Sequence, residues 1–589
     1  MALYDYYHRC DDLAPSGMEY KEIAFLIVID REGHFVRLED RRIDAKSSQK
    51  FLVVKGVRSG ITPKPYLFWD NVEYVCNYTK YHPELNKEES SDEAKQAERE
   101  DAIKKAALKH EALILKIKDL SNKFPENRNF RAVSLFYQLG ESAKIMDSPL
   151  WEAIAKKPTV NISYLLNGET KIVAEDECLA SLESKDNSIN INTGGASCLI
   201  TGIQCTAVES STPTPILGGQ ATARLVSFQV NSGYDSYGKT KGNNAPISKE
   251  AESCYTTALN KLLARDSRNK FTIANRTFVF WASSRSEAAQ AAEAGLFALF
   301  GYVSEEEDDP NRRIESVHQT FNSIYSGKYP STSDDRFYFL GLAPNSARIA
   351  VIYWHEITLK DFAKQIMFHF DDMHIIDNRK EKKSYMGLHQ IMSAVALKGK
   401  ASDVQPNLPE AVIKSIIQGI PYPYALMLSC IKRIRAEQSV TIARAAMIKA
   451  YLNRLNNNNK KLCSMVDKEN INLGYLCGRL FATLEYLQER SNNGNSTIRS
   501  RYMNAASATP AAVFSTLLNL SNHHEDKLNK GGQIFFEQVK REIIAKIPVE
   551  GFPAHLDLNE QGRFMVGYYH QRQEFYTTKE ASDNINIEQ

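Results

Sequence analysis

The sequence predicts an α+β N-terminal region followed by an all-α helical bundle. Apolar, β-branched stretches of strand length recur as far as residue 354 and stop before the polar segment 398–410. Beyond that segment, apolar residues recur at steps of three and four, as on one face of a helix. With 589 residues the chain is too long for one core, since a domain usually has about 100–200 residues. We therefore predict a mixed α+β region over 1–400 and a helical bundle over 401–589.

The N-terminal region begins with strand patterns. Two apolar stretches flank a short turn in "IAFLIVIDREGHFVRLED" (23–40) and predict a hairpin, and "FLVVKG" (51–56) predicts a third strand. The charged and then periodic segment 86–119 predicts one long solvated helix. Four more strands are predicted at 223–230, 275–283, 336–343 and 347–354. The acidic run 304–310 is predicted to be a surface loop.

The apolar periodicity of the C-terminal region predicts helices. "LGYLCGRLFATLEYLQER", starting at Leu473, places leucines and other apolar residues on one helical face, and similar spacing recurs at 535–547 and 564–568. The run "NNNNKK" (456–461) has poor helix propensity and divides the bundle. The part after it, 465–589, is a candidate for an independently foldable helical module.

Charge, apolar runs and cysteine content limit which kinds of protein this chain can be. The net charge of +2 does not indicate nucleic-acid binding by the whole chain, so such binding must come from local basic patches. The longest apolar run, 23–29, is far too short to span a bilayer, and the N-terminus has no signal-peptide pattern. Nine cysteines without a CxxC pair predict reduced thiols, and hence a cytoplasmic protein without membrane partners.

One stretch, "GYDSYGKT" (233–240), matches the phosphate-binding pattern G-x-x-x-x-G-K-[ST]. A working P-loop needs a strand before the pattern and a helix that begins at its lysine. A strand is predicted at 223–230, but residues 241–246 are turn formers ending in a proline, and the next helix can begin only near Ser248. Lys239 is therefore expected in a loop, and a P-loop-type ATPase is kept only as an alternative.

The first loop with nucleic-acid-binding character, 55–71, combines cations with glycines and prolines and ends in an aromatic run. Cations neutralise phosphates, and an asparagine amide can pair with a base edge. A surface loop that leads to a buried aromatic strand would have the same composition, so both interpretations stay open. The candidate DNA-binding residues of this loop are Lys55, Arg58, Lys64 and Asn71.

The second such loop, 239–244, carries donors that no nearby helix can satisfy. We expect it to contact nucleic acid or a neighbouring subunit, although packing on its own domain would also explain it. Its candidate DNA-binding residues are Lys239, Lys241, Asn243 and Asn244. A further basic stretch, 431–454, suits a phosphate track, but a solvated helix explains it better.

The histidine and carboxylate cluster "HFDDMHIID" (369–377) is the strongest sign of a catalytic metal site. Such a cluster suits a divalent metal, so a metal-dependent nuclease is the second alternative, but a solvated turn explains the cluster better. Cys198 and Cys205 have no second cysteine pair, which argues against zinc there. With no convincing nucleophile or metal set, we predict a non-catalytic protein with no metal or other cofactor.

The long motifs resemble one family over nearly the whole chain. They include "KPYLFWDNVEYV", "CLITG", "LVSFQVNSGYDSYGKTKGNNAPIS", "FYFLGLAPNSARIAVIYW", "CGRLFATLEYLQER" and "FPAHLDLNEQGRFMVGYYHQRQ". In this order they resemble the large subunit of the type I-C CRISPR interference complex (Cascade). The resemblance also identifies "SYGKTKGNNAPIS" with a segment of a protein that is not an NTPase.

The resemblance implies a function in RNA-guided antiviral defence. A protein of this family recognises the short protospacer-adjacent motif on double-stranded DNA, assists duplex opening and recruits a separate helicase-nuclease. Its implied partners are a crRNA-containing complex with backbone and crRNA-end-binding subunits, and a small subunit from the same reading frame. For this chain, the resemblance and the preceding polar run single out Met465 as the internal start.

Overall fold

A computed structural model describes most of the chain. The described residues are 1–45, 47–56, 62–79, 93–179, 182, 195–230, 233, 237–273, 275–300, 310–330, 332, 334–377, 387–400, 403–405, 407–455, 461–492 and 497–585. Within these ranges, none of the helices combines the length and the apolar composition that crossing a bilayer requires.

Strands are concentrated in the first part of the chain and helices in the second. The strands are β1 (Met18–Glu22), β2 (Phe25–Ile29), β3 (Phe35–Asp40), β4 (Lys50–Val54), β5 (Trp69–Asn71), β6 (Asn161–Leu166), β7 (Ala196–Ser197), β8 (Gln204–Cys205), β9 (Lys270–Ile273), β10 (Arg276–Ala282), β11 (Arg336–Asn345) and β12 (Arg348–Thr358). The helices are α1 (Ala2–Arg9), α2 (Val72–Cys76), α3 (Glu93–Lys123), α4 (Arg128–Gln138), α5 (Trp151–Ala155), α6 (Lys249–Leu263), α7 (Glu287–Phe300), α8 (Pro310–Tyr325), α9 (Leu359–Met373), α10 (Leu388–Val395), α11 (Leu408–Gln418), α12 (Tyr424–Glu437), α13 (Ile442–Arg454), α14 (Leu473–Ser491), α15 (Ile498–Ala506), α16 (Pro510–Glu525), α17 (Lys530–Ile544) and α18 (Leu558–Ile585). The predicted α+β region followed by helices is confirmed.

The first compact unit comprises residues 1–214 and 224–261. Its main sheet has the order β3-β2-β6-β5, in which β2 and β6 are parallel and the edge pairs are antiparallel. All five residues of β2 are buried, which explains its unbroken apolar sequence. A second ladder pairs β1 with β4. The loop that joins β4 to β5, residues 55–68, is thus held at each end by a sheet.

The second compact unit comprises residues 215–223 and 262–589. Strands β9 to β12 form an antiparallel sheet in the order β12-β11-β10-β9. One apolar core continues from Phe271 on β9 through Phe362 on α9 to Phe481 on α14 and Tyr569 on α18. Strands and C-terminal helices share this core, so the second compact unit contains both.

Most of the predicted strands are present, and one prediction is wrong. The hairpin is β2–β3, the third strand is β4, and β10, β11 and β12 lie where strands were predicted. Residues 223–230, in contrast, form no strand. Composition alone predicted this strand. In the structure the Val226 carbonyl accepts a hydrogen bond from the Ser211 hydroxyl, at 2.7 Å. The acidic run (304–309) and the asparagine run (456–460) lie outside the described residues.

Candidate nucleic-acid interface

Hydrogen bonds and two stacked aromatic rings hold the C-terminal end of the first loop. Buried Asp70 accepts hydrogen bonds from the backbone N–H of Tyr66, at 3.0 Å, and of Asn71, at 2.8 Å. The rings of Tyr66 and Trp69 stack with centroids 4.1 Å apart. A Cβ atom on Gly56 would come within 2.4 Å of the Tyr66 ring, so glycine is required for the loop to close over it. The loop therefore leaves the β1–β4 ladder and enters the main sheet at β5, and these contacts hold its described ends in place.

Asn71 is well placed for recognition at the end of β5. It is the N-cap of α2, and its Oδ1 accepts from the Tyr74 N–H at 3.4 Å. Its Nδ2 donates to no group in the described part of the chain, and the side chain is partly exposed. The cap fixes the side chain, and the amide nitrogen stays available as a donor.

Lys55 points into the protein. Its Nζ donates to Thr256 Oγ1 at 3.0 Å and lies 3.9 Å from a Glu252 carboxylate oxygen, with only 10% of the side chain exposed. Burial lowers the pKa of Lys55, and Glu252 and Glu19 partly oppose that shift. Lys55 thus fastens the end of β4 to α6 and does not present its ammonium at the surface. Of the other two cations of this loop, Lys64 is exposed, and Arg58 lies outside the described residues.

The second loop is closed by a short 3₁₀ turn, Lys241–Asn244. The Asn244 amide donates to the Lys241 carbonyl at 3.0 Å, which holds the turn together. Gly242 lies against the Val208 carbonyl, where a Cβ atom would come within 1.7 Å. Lys239 and Asn243 are exposed. Two of the four predicted residues therefore face solvent, while Asn244 shapes the loop.

The P-loop pattern does not form a P-loop. The segment before it is not a strand, and Lys239 lies well before α6, which begins at Lys249. The predicted helix start is confirmed, since Ser248 Oγ accepts from the Ala251 N–H at 3.2 Å. Lys239 therefore lacks the helix N-terminus that would help bind a nucleotide phosphate.

Glu209 interacts electrostatically with a lysine of each loop. Lys241 Nζ lies 2.6 Å from Glu209 Oε2, with 44% of the lysine and 75% of the glutamate side chain exposed. The hydrogen bond from Lys241 lowers the pKa of Glu209, and the charge of Lys64 lowers it further. Lys241 therefore pairs with this carboxylate directly, and the charge of Lys64 acts on it from the other loop. The sequence analysis missed Glu209, although it is the one charged residue in the segment 206–223.

Cys198 lies beside the second loop. The N–H of Ser248 points at its sulfur at 3.3 Å, and the neighbouring N–H of Leu199 donates to the Pro246 carbonyl at 2.9 Å. Burial raises the pKa of Cys198, but hydrogen bonds from Thr201, Ser248 and Ile200 outweigh burial and lower it to about 6. The thiolate therefore helps to fasten the segment after the loop.

The histidine–aspartate cluster does not converge on a metal position. His369 is buried and its Nδ1 lies 2.7 Å from the Tyr422 hydroxyl, and burial lowers its pKa to about 3. Asp372 forms an ion pair with Arg454 at 2.5 Å. These side chains hold α9 against neighbouring segments, so the arrangement does not favour the nuclease alternative.

The basic stretch 431–454 is internally paired. It forms α12 and α13, and Glu437 bonds both Arg433 and Arg444. Arg444 and Lys449 are buried. The predicted solvated helix is therefore wrong for α13, most of which is buried, and its buried cations do not suit a phosphate track either.

Comparison with known families assigns the chain to the CRISPR-associated proteins. The matching family is described as CRISPR-associated protein (Cas_Csd1), and its sequence model covers residues 3–576. The chain therefore belongs to the Cas_Csd1 family. No curated protein matches the chain at a significant level.

Proposed function

We propose that the chain is the non-catalytic large subunit of a type I-C RNA-guided surveillance complex and that it recognises the protospacer-adjacent motif on target double-stranded DNA. In such systems base pairing reads the target sequence, while protein reads a short duplex motif. The observation that carries the proposal is that two loops of the first compact unit carry lysines at the surface, Lys64 in one and Lys239 and Lys241 in the other, and that the charge of Lys64 reaches Glu209, the ion-pair partner of Lys241. Cations on two separate loops can contact phosphates at more than one place on a duplex.

The residues have different roles in this proposal. Lys64, Lys239 and Lys241 neutralise phosphates, and the outward amides of Asn71 and Asn243 contact base edges. Arg58 is assigned to the phosphate group by its charge. Lys55 and Asn244 position the loops, because their side chains are bonded within the protein.

The remaining parts of the proposal rest on the resemblance. They are assistance in duplex opening, recruitment of a helicase-nuclease, and assembly in the cytoplasm with a crRNA, backbone and crRNA-end-binding subunits and a small subunit. Within this proposal the chain itself cleaves neither ATP nor DNA. ATP turnover by the purified chain that disappears in Lys239→Ala would favour the ATPase alternative instead, and metal-dependent cleavage that disappears in His369→Ala would favour the nuclease.

The test is DNA binding by the reconstituted crRNA-containing complex. Asn71→Ala should weaken binding to a motif-bearing duplex by about 1–3 kcal/mol and should leave binding to a scrambled duplex unchanged, as expected for a base contact. Lys64→Ala should weaken binding to both duplexes and flatten its salt dependence.

Lys360→Ala is the matched control. Lys360 is an exposed lysine of α9, in the second compact unit, and its loss removes the same charge. If Asn71→Ala and Lys64→Ala bind both duplexes as Lys360→Ala does, the interface is misplaced.

A further inference from the structure

Three potential metal ligands from distant parts of the sequence meet in the first compact unit. The ligand atoms of His8, Glu250 and Cys254 all lie within 4.8 Å of one another. His8 is in the last turn of α1, while Glu250 and Cys254 lie one turn apart on α6. The sequence analysis predicted no metal because spacing along the chain cannot reveal a site assembled from both ends of this unit.

We propose that His8, Glu250 and Cys254 bind one zinc ion, with the fourth position open to water. Imidazole nitrogen, thiolate sulfur and carboxylate oxygen together form a donor set typical of zinc, and hard cations such as Mg²⁺ would not favour the thiolate. Three protein ligands and one water complete the tetrahedron that zinc prefers.

The geometry needs only a small contraction to accept the ion. Zinc lies about 2.3 Å from sulfur and about 2.0–2.2 Å from nitrogen or oxygen, which separates neighbouring tetrahedral ligand atoms by roughly 3.3–3.8 Å. Cys254 is buried and fixed, whereas His8 and Glu250 are exposed and can close on it by side-chain rotation. Tyr4 and Tyr7 pack edge-on against the imidazole of His8, with centroids at 4.4 and 5.2 Å, and restrict its orientation.

The electrostatic surroundings favour a cation. Glu250 raises the pKa of Tyr7 and of Cys254, in each case after the larger effect of burial, so the cluster opposes additional negative charge. The charge of Lys55 lowers the pKa of Cys254, but the Lys55 ammonium is already paired with Glu252. Burial and Glu250 raise the pKa of Cys254 to about 11, so zinc binding would release the thiol proton to water, and the bound cation would then neutralise the Glu250 carboxylate and the Cys254 thiolate.

The ion would fasten α1 to α6. Helix α6 follows the second interface loop directly and also holds Lys55 through Thr256. This inference does not depend on the DNA-binding proposal, since zinc binding is measurable without DNA.

The test uses the purified full-length chain. We expect about one equivalent of zinc per chain by elemental mass spectrometry, and a thiolate-to-metal charge-transfer absorption after cobalt substitution. In competition with a chromophoric chelator, His8→Ala and Glu250→Gln should each weaken zinc binding at least tenfold. Both residues are exposed, so these substitutions leave the core intact.

His555→Ala and Cys463→Ser are the matched controls, because both residues are exposed and lie in the second compact unit. They should bind zinc as the unchanged chain does. If the unchanged chain binds no zinc, or if His8→Ala binds it as tightly as His555→Ala, the assignment is refuted. Loss of the cobalt charge-transfer band in Cys254→Ser, with the folded circular dichroism spectrum retained, would identify the thiolate ligand.

Discussion

In the proposed DNA-binding interface, Glu209 pairs with a lysine that would otherwise contact a phosphate. Its carboxylate accepts from Lys241 at 2.6 Å and also lies in the field of Lys64. If these lysines bind phosphates, the carboxylate competes with DNA for them. Glu209→Gln should therefore tighten binding of the complex to a motif-bearing duplex, with no change to the loop's backbone contacts.

The size of the effect follows from the exposure of the pair. With 44% and 75% of the two side chains exposed, breaking the ion pair is a modest change, about 1.5- to 5-fold in an equilibrium constant. Each phosphate contact adds about 0.9 to the slope of log affinity against log salt, so one contact accounts for about a 3.5-fold loss between 50 and 200 mM salt. The slope for Lys241→Ala should therefore be smaller by about 0.9. Between 50 and 200 mM salt, this variant should lose about 3.5-fold less affinity than the unchanged complex.

The assay is fluorescence anisotropy with a labelled duplex and the reconstituted complex over that salt range. Glu152→Gln is the control, because Glu152 forms an exposed pair of the same 2.6 Å length with Lys156 and carries the same charge. The gain from Glu209→Gln should largely disappear when Lys241→Ala is present. Equal affinities for Glu209→Gln and Glu152→Gln at every salt concentration would refute the competition.

Three further predictions concern the described residues. Lys55→Ala should lower the free energy of unfolding by about 1–3 kcal/mol, because it removes a buried hydrogen bond to Thr256 and the cation beside the buried Glu252 carboxylate, whereas exposed Lys64→Ala should not; equal melting temperatures would contradict the positioning role of Lys55. The alkylation rate of Cys198, followed by mass spectrometry, should rise with a midpoint near pH 6, and a midpoint near pH 9 would contradict the hydrogen-bonded thiolate. Because this pKa is lowered by folding, its contribution to stability is fully present above about pH 9 and is lost as the pH falls through about 6. Expression of the gene with a C-terminal tag should give a short product starting at Met465, and persistence of that product in Met465→Leu would refute the internal start.

Local features of this fold could be predicted from the sequence, because they depend on neighbours along the chain. The hairpin at 23–40 has two apolar strands and a turn within one short segment, and the helix at Leu473 has its own periodicity. The N-cap at Ser248 could also be predicted, because it depends only on residues that follow it directly in the sequence. Residues 223–230 had the composition of a strand, but a strand also needs a partner, and composition does not supply one.

The interface depends on contacts that no local pattern encodes. Lys55 meets Thr256 across 201 positions of sequence, so its burial could not be distinguished from the exposure of Lys64. Glu209 is far along the chain from Lys64, and His8 is farther still from Cys254. In each case the residue types indicated a chemistry, and only the fold determined whether a partner was present.

The helices α14 and α18 carry a feature that was visible in the sequence and was not used. Gly474 and Gly478, one turn apart, lie against the backbone of α18, where a Cβ atom would come within 2.4 Å of the Glu560 carbonyl and 2.0 Å of the Phe564 carbonyl. The two helices therefore pack backbone to backbone, and glycine is required at the crossing. The apolar face of α14 predicted burial, but the small residues determine which helix lies there and how closely.

This crossing bears on a product that starts at Met465. Both α14 and α18 lie within 465–589, so the fragment keeps its closest helix pair. Gly562 on α18, however, packs against Ile448 and Leu452 of α13, which the fragment lacks. The fragment alone would expose that apolar strip, and a neighbouring chain in an assembly would have to cover it. The same helices would then have an internal partner in the full-length chain and an external one in the fragment, which is what a shared reading frame for two subunits requires.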